Sequence, residues 1–409
     1  MSAVQTENIG DLKGMVVLLA VASAIGQFST SIYTPSIPAL MNALASPESL
    51  VQLTITAYLA ALAGFQLGFG PLSDHWGRKP TLQFGFAIFI VGSATCYFAN
   101  SIEMVVIGRV FQGIGACAGM VVTRAMSRDL FSGPALVKAS SVMSLVFALA
   151  PGFSPLLGGL IQESWGWRAT FAVSGFFALA VMIWTWVGCQ ETLREGPRNF
   201  SVRAIMSSYR PIATAPLFLG YAIVTLCVLA GIMAFVAGAP RFMIVEHGLT
   251  PAEFGLYPAT AIIGFFLGTA VAGRWATRMA AETMVRRAMI VLVAIGPIPL
   301  ILYSAESLKP ITLNICMTVY LAGMGAILPT AVAAAMQPYA KEAGAASALM
   351  GFLQMMGGVA GTLFVAQLVD DLGTYAFTAA LAVFPVTAFL FFTSLQARAG
   401  SVASSGTRG

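Results

Sequence analysis

Charge is what this chain has least of. Only 9% of its 409 residues are Asp, Glu, Lys or Arg, 58% are apolar, and the mean hydropathy is +0.85. A soluble domain carries about 25% charged residues, so this chain cannot cover a water-facing surface of its size with polar groups. That excludes an ordinary soluble protein and leaves lipid as its solvent. Histidine is scarcer still. His75 and His247 both fall in breaks between apolar runs, which excludes an enzyme built on clustered intramembrane His, Asp or Ser–His machinery. The cysteines (Cys96, Cys117, Cys189, Cys227, Cys316) sit in or beside apolar runs without metal-ligand spacing, so no disulfide framework and no metal site is expected. The net charge of +5 does not call for a nucleic-acid partner, because the basic residues are not gathered with aromatics on one face. No acid lies well inside an apolar run; Asp74, Glu103 and Asp129 come near run ends. The first run follows a head bearing Glu7, Asp11 and Lys13, without a small-residue cleavage site after it, and reads as a retained helix.

What the chain does have is apolar runs of membrane length. About 20 residues of helix cross roughly 30 Å of hydrocarbon, and that length divides the chain into twelve spans. The first six cover 14–40, 49–72, 81–99, 103–127, 138–161 and 169–189. The second six cover 214–238, 253–274, 286–304, 310–336, 344–367 and 375–395. Pro35, Pro38, Pro151 and Pro155 lie inside spans, where kinks are expected. Of the 21 Lys and Arg, sixteen fall on one side, three (Arg168, Arg241, Lys309) on the other, and Arg109 and Arg124 within a span. The basic side is the cytoplasmic one, which places both termini inside. The longest basic break separates a first half, 1–189, from a second, 214–395, with a linker at 190–213 and a Ser/Gly-rich tail at 396–409 expected to be disordered. Pro47 precedes Gly64 by the interval that separates Pro251 from Gly268, a weak sign of an internal repeat.

Four stretches carry chemistry. The break after the second span reads Gly70-Pro71-Leu72-Ser73-Asp74-His75-Trp76-Gly77-Arg78-Lys79-Pro80; a plain basic turn explains Arg78 and Lys79 but not the acid at the membrane edge. In span four, Arg109 and Gln112 share a face at i, i+3. An arginine inside a span costs a few kcal/mol unless it snorkels, pairs or lines a wet cavity. Arg124 lies further along, followed by Arg128-Asp129. Span five holds Pro151, Pro155, Gly158 and Gly159, by itself a packing hinge. In span one Ser23, Gln27, Ser31 and Thr34 recur at helical spacing beside Tyr33. Such hydroxyls either bond back to the preceding turn or line a cavity, and the cavity is the preferred reading.

The loop at 70–80 resembles the G-x-L-x-D-r-x-G-r-r/k signature of the major facilitator superfamily. The run Arg109-x-x-Gln112-Gly-x-Gly-Ala resembles that family's fourth-helix motif, and 150–159 its fifth-helix antiporter signature. With Asp-Leu-Phe at 129–131 and Gly-Trp-Arg at 166–168, the chain resembles the bicyclomycin/chloramphenicol-resistance branch of drug:proton antiporters. The resemblance implies an all-α membrane protein of two pseudo-symmetric six-helix halves, with substrate bound between them near the midplane. It implies a cytoplasmic latch of Gly70, Asp74, Gly77, Arg78 and Arg128, with Asp74 facing the start of span eleven or Arg128, and coupling roles for Arg109, Arg124 and Asp129. One position departs from the branch. Its first-helix D-x-Y-x-P pattern is Ser31-Ile32-Tyr33-Thr34-Pro35 here, without the acid.

The expected function is export of a drug or metabolite across the bacterial inner membrane by alternating access, in exchange for protons. The alternative is an exporter or facilitator of an anionic metabolite such as a carboxylate siderophore, with altered or absent proton coupling. Lacking its acid partner, Arg109 is expected to face the cavity and, with Gln112, receive an acidic group of the solute. The expected partners are a small solute and the lipid bilayer, the expected state a monomer, and no cofactor is called for beyond the proton as candidate coupling ion.

Overall fold

The computed structural model describes residues 9–193, 209–339 and 342–406. Among the described residues, twelve helices are long and apolar enough to cross a membrane. In the first half they are α1 (Gly14–Ala43), α2 (Glu48–Trp76), α3 (Arg78–Tyr97), α4 (Ile102–Leu130), α5 (Gly133–Trp165) and α6 (Trp167–Gly188). In the second they are α7 (Pro216–Glu246), α8 (Pro251–Trp275), α9 (Ala281–Ser304), α10 (Pro310–Tyr339), α11 (Ala343–Leu372) and α12 (Tyr375–Leu395). No strand occurs among the described residues.

The helix neighbours repeat between the halves. In the first, α1 packs on α4, α5 and α6, α2 on α4, and α3 on α4 and α6; in the second, α7, α8 and α9 repeat these contacts six helices on. Each half owns a buried apolar cluster. Two seams join the halves, α2 on α11 and α5 on α8, which are images of one another under the repeat. The Pro–Gly interval holds along the helices but not in packing. A Cβ at Gly268 would sit 1.8 Å from the Ala322 carbonyl oxygen, while Gly64 faces open space.

Several details differ from expectation. Pro35 turns α1 into a 3-10 segment at Thr34–Ser36, whereas Pro151 and Pro155 sit in an uninterrupted helix. The last helix runs through Gly406, past residue 396 where the tail is expected to be disordered; Gln396, Ala397, Arg398 and Ala399 are good helix formers, and the Gly- and Ser-rich residues after them supply no propensity for continuing it. Of the linker at 190–213, residues 194–208 lie outside the described residues.

Candidate functional site

A cavity of about 1380 Å³ lies between the halves, walled by α1, α2, α4 and α5 on one side and α7, α8, α10 and α11 on the other. Ser23, Gln27, Ser31 and Thr34 of the α1 stripe are all on its wall, joined by Thr30. Three hydroxyls also bond back along the helix: Ser23 to the Ala20 carbonyl (2.7 Å), Thr30 to Gly26 (2.9 Å) and Thr34 to Ser31 (2.8 Å). Both readings of the stripe therefore hold at once, because a hydroxyl that donates to its own helix still offers lone pairs to the cavity. Most of the remaining wall is apolar, with Met120, Met143, Met233, Met324, Met350 and Met355 beside Phe147, Phe235, Phe265 and Phe266.

The two ends of the cavity differ. At the end where α2 begins and α7 finishes, the seams are closed. Arg241 of α7 pairs with Glu48 of α2 and, at 3.3 Å, with Glu246 of its own half. The Gln52 amide donates to the Ala237 carbonyl (2.7 Å), Thr56 meets Thr362 (2.9 Å), and the Asp370 carboxylate accepts from the Ser49 amide (3.2 Å). On the α5–α8 seam the Glu163 carboxylate accepts from the Ala252 amide (2.9 Å). A Cβ at Gly159 would lie 2.1 Å from the Pro251 carbonyl oxygen, and one at Gly255 would lie 2.4 Å from Leu156 Cα, so side chains are excluded where the backbones touch. At the other end the wall runs down to Asp74, Arg128, Asp129, Ala333 and Gly344. There, among the described residues, the hydrogen bonding that leaves the first half runs to the linker, where the Tyr209 hydroxyl donates to the Leu67 carbonyl (3.4 Å).

The loop motif at that end is a network within the first half. Asp74 pairs with Arg78 (2.6 Å), and Arg78 with Asp129 at the end of α4 (2.9 Å); Ser73 and Thr192 complete the set. Asp74 thus reaches α4 through Arg78 and Asp129; Arg128 is exposed, lines the cavity and makes no ion pair with a described residue. Gly77 adopts φ +100°, a conformation that favours glycine. It turns the chain so that the Glu191 carboxylate accepts from the amides of Arg78 (3.0 Å) and Lys79 (3.1 Å), capping α3. In the sequence, the one signal for Glu191 is that it is an acid just after span six on the basic side.

Arg109 is fully buried and off the cavity wall, as are Tyr33 and Gln112. Its guanidinium lies 4.2 Å from the Tyr58 ring centroid and 5.1 Å from that of Tyr33. It donates to Gln112 Oε1 (2.9 Å) and, at 3.5 Å, to the Ser29 carbonyl, while its Nε and Nη2 have no hydrogen-bond partner. The Tyr58 hydroxyl is tied to the Gly26 carbonyl (2.8 Å), that of Tyr33 to Thr54 (2.9 Å), and the Gln112 amide to Ser93 (2.8 Å). The expected placement of Arg109 in the cavity fails for a packing reason. Cβ atoms at Gly113, Gly115 and Gly119 would meet carbonyl oxygens of Tyr58, Gly85 and Ala22 at 2.3, 2.3 and 2.8 Å, so α2, α3 and α1 close around α4 at this level. From Met120 onward α4 reaches the cavity, and Arg124 is exposed there with its guanidinium 5.9 Å from the Phe147 ring centroid. Pro151 and Pro155 also line the cavity, Gly158 abuts the Ile32 carbonyl of α1, and Gly159 is part of the α5–α8 seam.

Residues 19–362 match the profile of the Major Facilitator Superfamily. Multidrug resistance protein D of Escherichia coli (strain K12) is 28% identical over 344 residues, 84% of this chain and 86% of that one. A bicyclomycin resistance protein homolog of Haemophilus influenzae is 28% identical over 383 residues, 93% and 96% of the two chains. Among solved structures, a bacterial homolog of the human lysosomal transporter Spinster, in an inward-facing and occupied conformation, superposes with a TM-score of 0.75 at 14% identity, covering 95% of this chain and 98% of its own.

Proposed function

Since this chain belongs to the Major Facilitator Superfamily, we propose that it is a secondary exporter of amphipathic, drug-like solutes, moving them by alternating access in exchange for protons. The observation that carries this reading is the large cavity between the halves, sealed at one end and walled down to the basic loops at the other. By the positive-inside rule the basic end faces the cytoplasm of a bacterial inner membrane, so the cavity is one loaded from inside. Methionine side chains are polarizable and adapt to irregular partners, which suits solutes of varied shape, and the α1 stripe with Gln27 supplies hydrogen bonds. The relatives named for multidrug and bicyclomycin resistance point the same way. With Ser31 in place of an acid, the carboxylates among the described cavity residues are Asp74 and Asp129, and in this reading proton exchange runs through them.

The test uses the full chain in everted vesicles with an imposed proton gradient. Accumulation of labelled chloramphenicol or bicyclomycin that collapses with the gradient is the expected result. Accumulation indifferent to the gradient removes proton exchange, and no accumulation of either compound, nor of a wider panel of amphipathic drugs, removes the drug-export reading. Orientation has its own check: a cysteine at Ser307 should react with an impermeant thiol reagent in intact cells, and one at Arg278 only after lysis.

A further inference from the structure

The cavity holds three arginines and two carboxylates among its wall residues, Arg78, Arg124, Arg128, Asp74 and Asp129. Both carboxylates are engaged by Arg78. Among the described residues, Arg124 and Arg128 are therefore left without a counter-charge, and neither side chain donates a hydrogen bond to one of them. They stand one turn apart on α4, at i, i+4, and so present one face. On α5, Ser140 and Ser144 repeat that spacing, line the same cavity, are exposed, and have hydroxyls that bond to no described residue. The contact of Arg124 with Phe147, three residues beyond Ser144, sets the register between the two helices. Arg124 lies six residues from the end of α4, about 9 Å along the helix. An uncompensated guanidinium in a wall so largely apolar needs water or an anion against it.

We infer that Arg124 and Arg128, with the hydroxyls of Ser140 and Ser144, form an anion subsite at the basic end of the cavity. It receives a carboxylate, sulfonate or phosphate group of a solute whose aromatic or aliphatic body lies on the Met and Phe wall. The guanidinium fork accepts such a group in bidentate fashion, the serine hydroxyls donate to its remaining oxygens, and Phe147 places an aromatic face beside the charge. The subsite rests on the cavity being the transport site, as proposed above, and names one class of solute it favours.

The experiment uses the full-length protein in nanodiscs of zwitterionic lipid and two probes of one skeleton, 8-anilinonaphthalene-1-sulfonate and N-phenyl-1-naphthylamine, which differ by the sulfonate. Fluorescence titrations, corrected for empty discs, give the ratio of their affinities. The wild type should prefer the sulfonate by about tenfold or more, the effect of one charge-assisted contact. Arg124→Gln/Arg128→Gln should bring the ratio towards one, and Arg124→Lys, a milder change, should keep part of the preference. A wild-type ratio near one, or a ratio unchanged in the double variant, overturns the subsite while leaving the cavity reading in place. Displacement of the sulfonate by phosphatidylglycerol added to the discs also overturns it, since the arginines then hold a lipid headgroup. Failure of both probes to bind the wild type, or of chloramphenicol to compete with either, counts instead against the cavity as the transport site.

Discussion

The two ends of the cavity solve opposite problems with similar residues. At the sealed end, charge and hydrogen bonding cross from one half to the other, as in Glu48 with Arg241, Gln52 with Ala237 and Ser49 with Asp370. At the basic end the richer network, Asp74–Arg78–Asp129 with Thr192, stays inside the first half. A contact across the seam must break whenever that end opens, so it biases one conformation against another. A contact within one half rides along with it and stiffens a moving part. Position relative to the seam, not the strength of any pair, decides which residues can act as a gate.

Replacing Gly159 with Leu should have the largest effect. Its Cβ meets the Pro251 backbone, which cannot yield as a side chain can, and overpacking of this kind costs about 3 kcal/mol or more at its upper end. The sealed end should then stand open: a cysteine at Thr56, buried in the parent structure, should become reactive to an impermeant thiol reagent, and export should fall more than about tenfold. If that cysteine stays protected, the α5–α8 seam is not what closes this end. Glu48→Gln comes next. Arg241 keeps Glu246 in its own half, so the loss is less than for a fully orphaned buried charge and should shift the opening equilibrium by about 2 kcal/mol. A spin-label distance measured across the α2–α11 seam should broaden towards longer values; an unchanged distribution would remove Glu48 from the gate. Asp74→Asn should have the mildest effect on the opening equilibrium, its effect on proton exchange being a separate matter. Arg78 retains Asp129 and the Asp74 pair is part-exposed, so about 1 kcal/mol or less is at stake. Export should slow while Thr56→Cys stays as protected as before. Exposure of Thr56→Cys in the Asp74→Asn background would erase the distinction between the ends.

Much of this architecture is legible from hydropathy alone, because lipid leaves a chain few alternatives to apolar helices. Helix ends are less so. The fifth span reads as 138–161 but runs Gly133–Trp165, since hydropathy stops where hydrocarbon stops and backbone hydrogen bonding does not. The α1 stripe is legible because one helix face has a fixed spacing; Thr30 is less so because it lies off the Ser23, Gln27, Ser31 series, on the neighbouring edge of the same face. The face bearing Arg109 and Gln112 was equally visible, but spacing does not say whether a face meets a cavity or three neighbouring helices. The glycines at 113, 115 and 119 were the signal for the latter. Glu48 and Arg241 were the least legible pair, being 193 residues apart. The hint was that Arg241 is one of the few basic residues on its side.

Arg109 remains a buried cation balanced by rings and amide dipoles instead of a carboxylate. Wedged among α1, α2 and α3, it is fixed in the first half and carried wherever that half goes. A charge so carried does electrical work whenever the half tilts in the membrane field. Displacement through a tenth of the field at 100 mV is worth about 0.2 kcal/mol. Under the alternating-access reading proposed above, the balance between the two orientations should therefore respond to membrane voltage even when the cargo is neutral. Capacitive currents from the empty protein on a supported membrane should report that movement, and Arg109→Gln should diminish them.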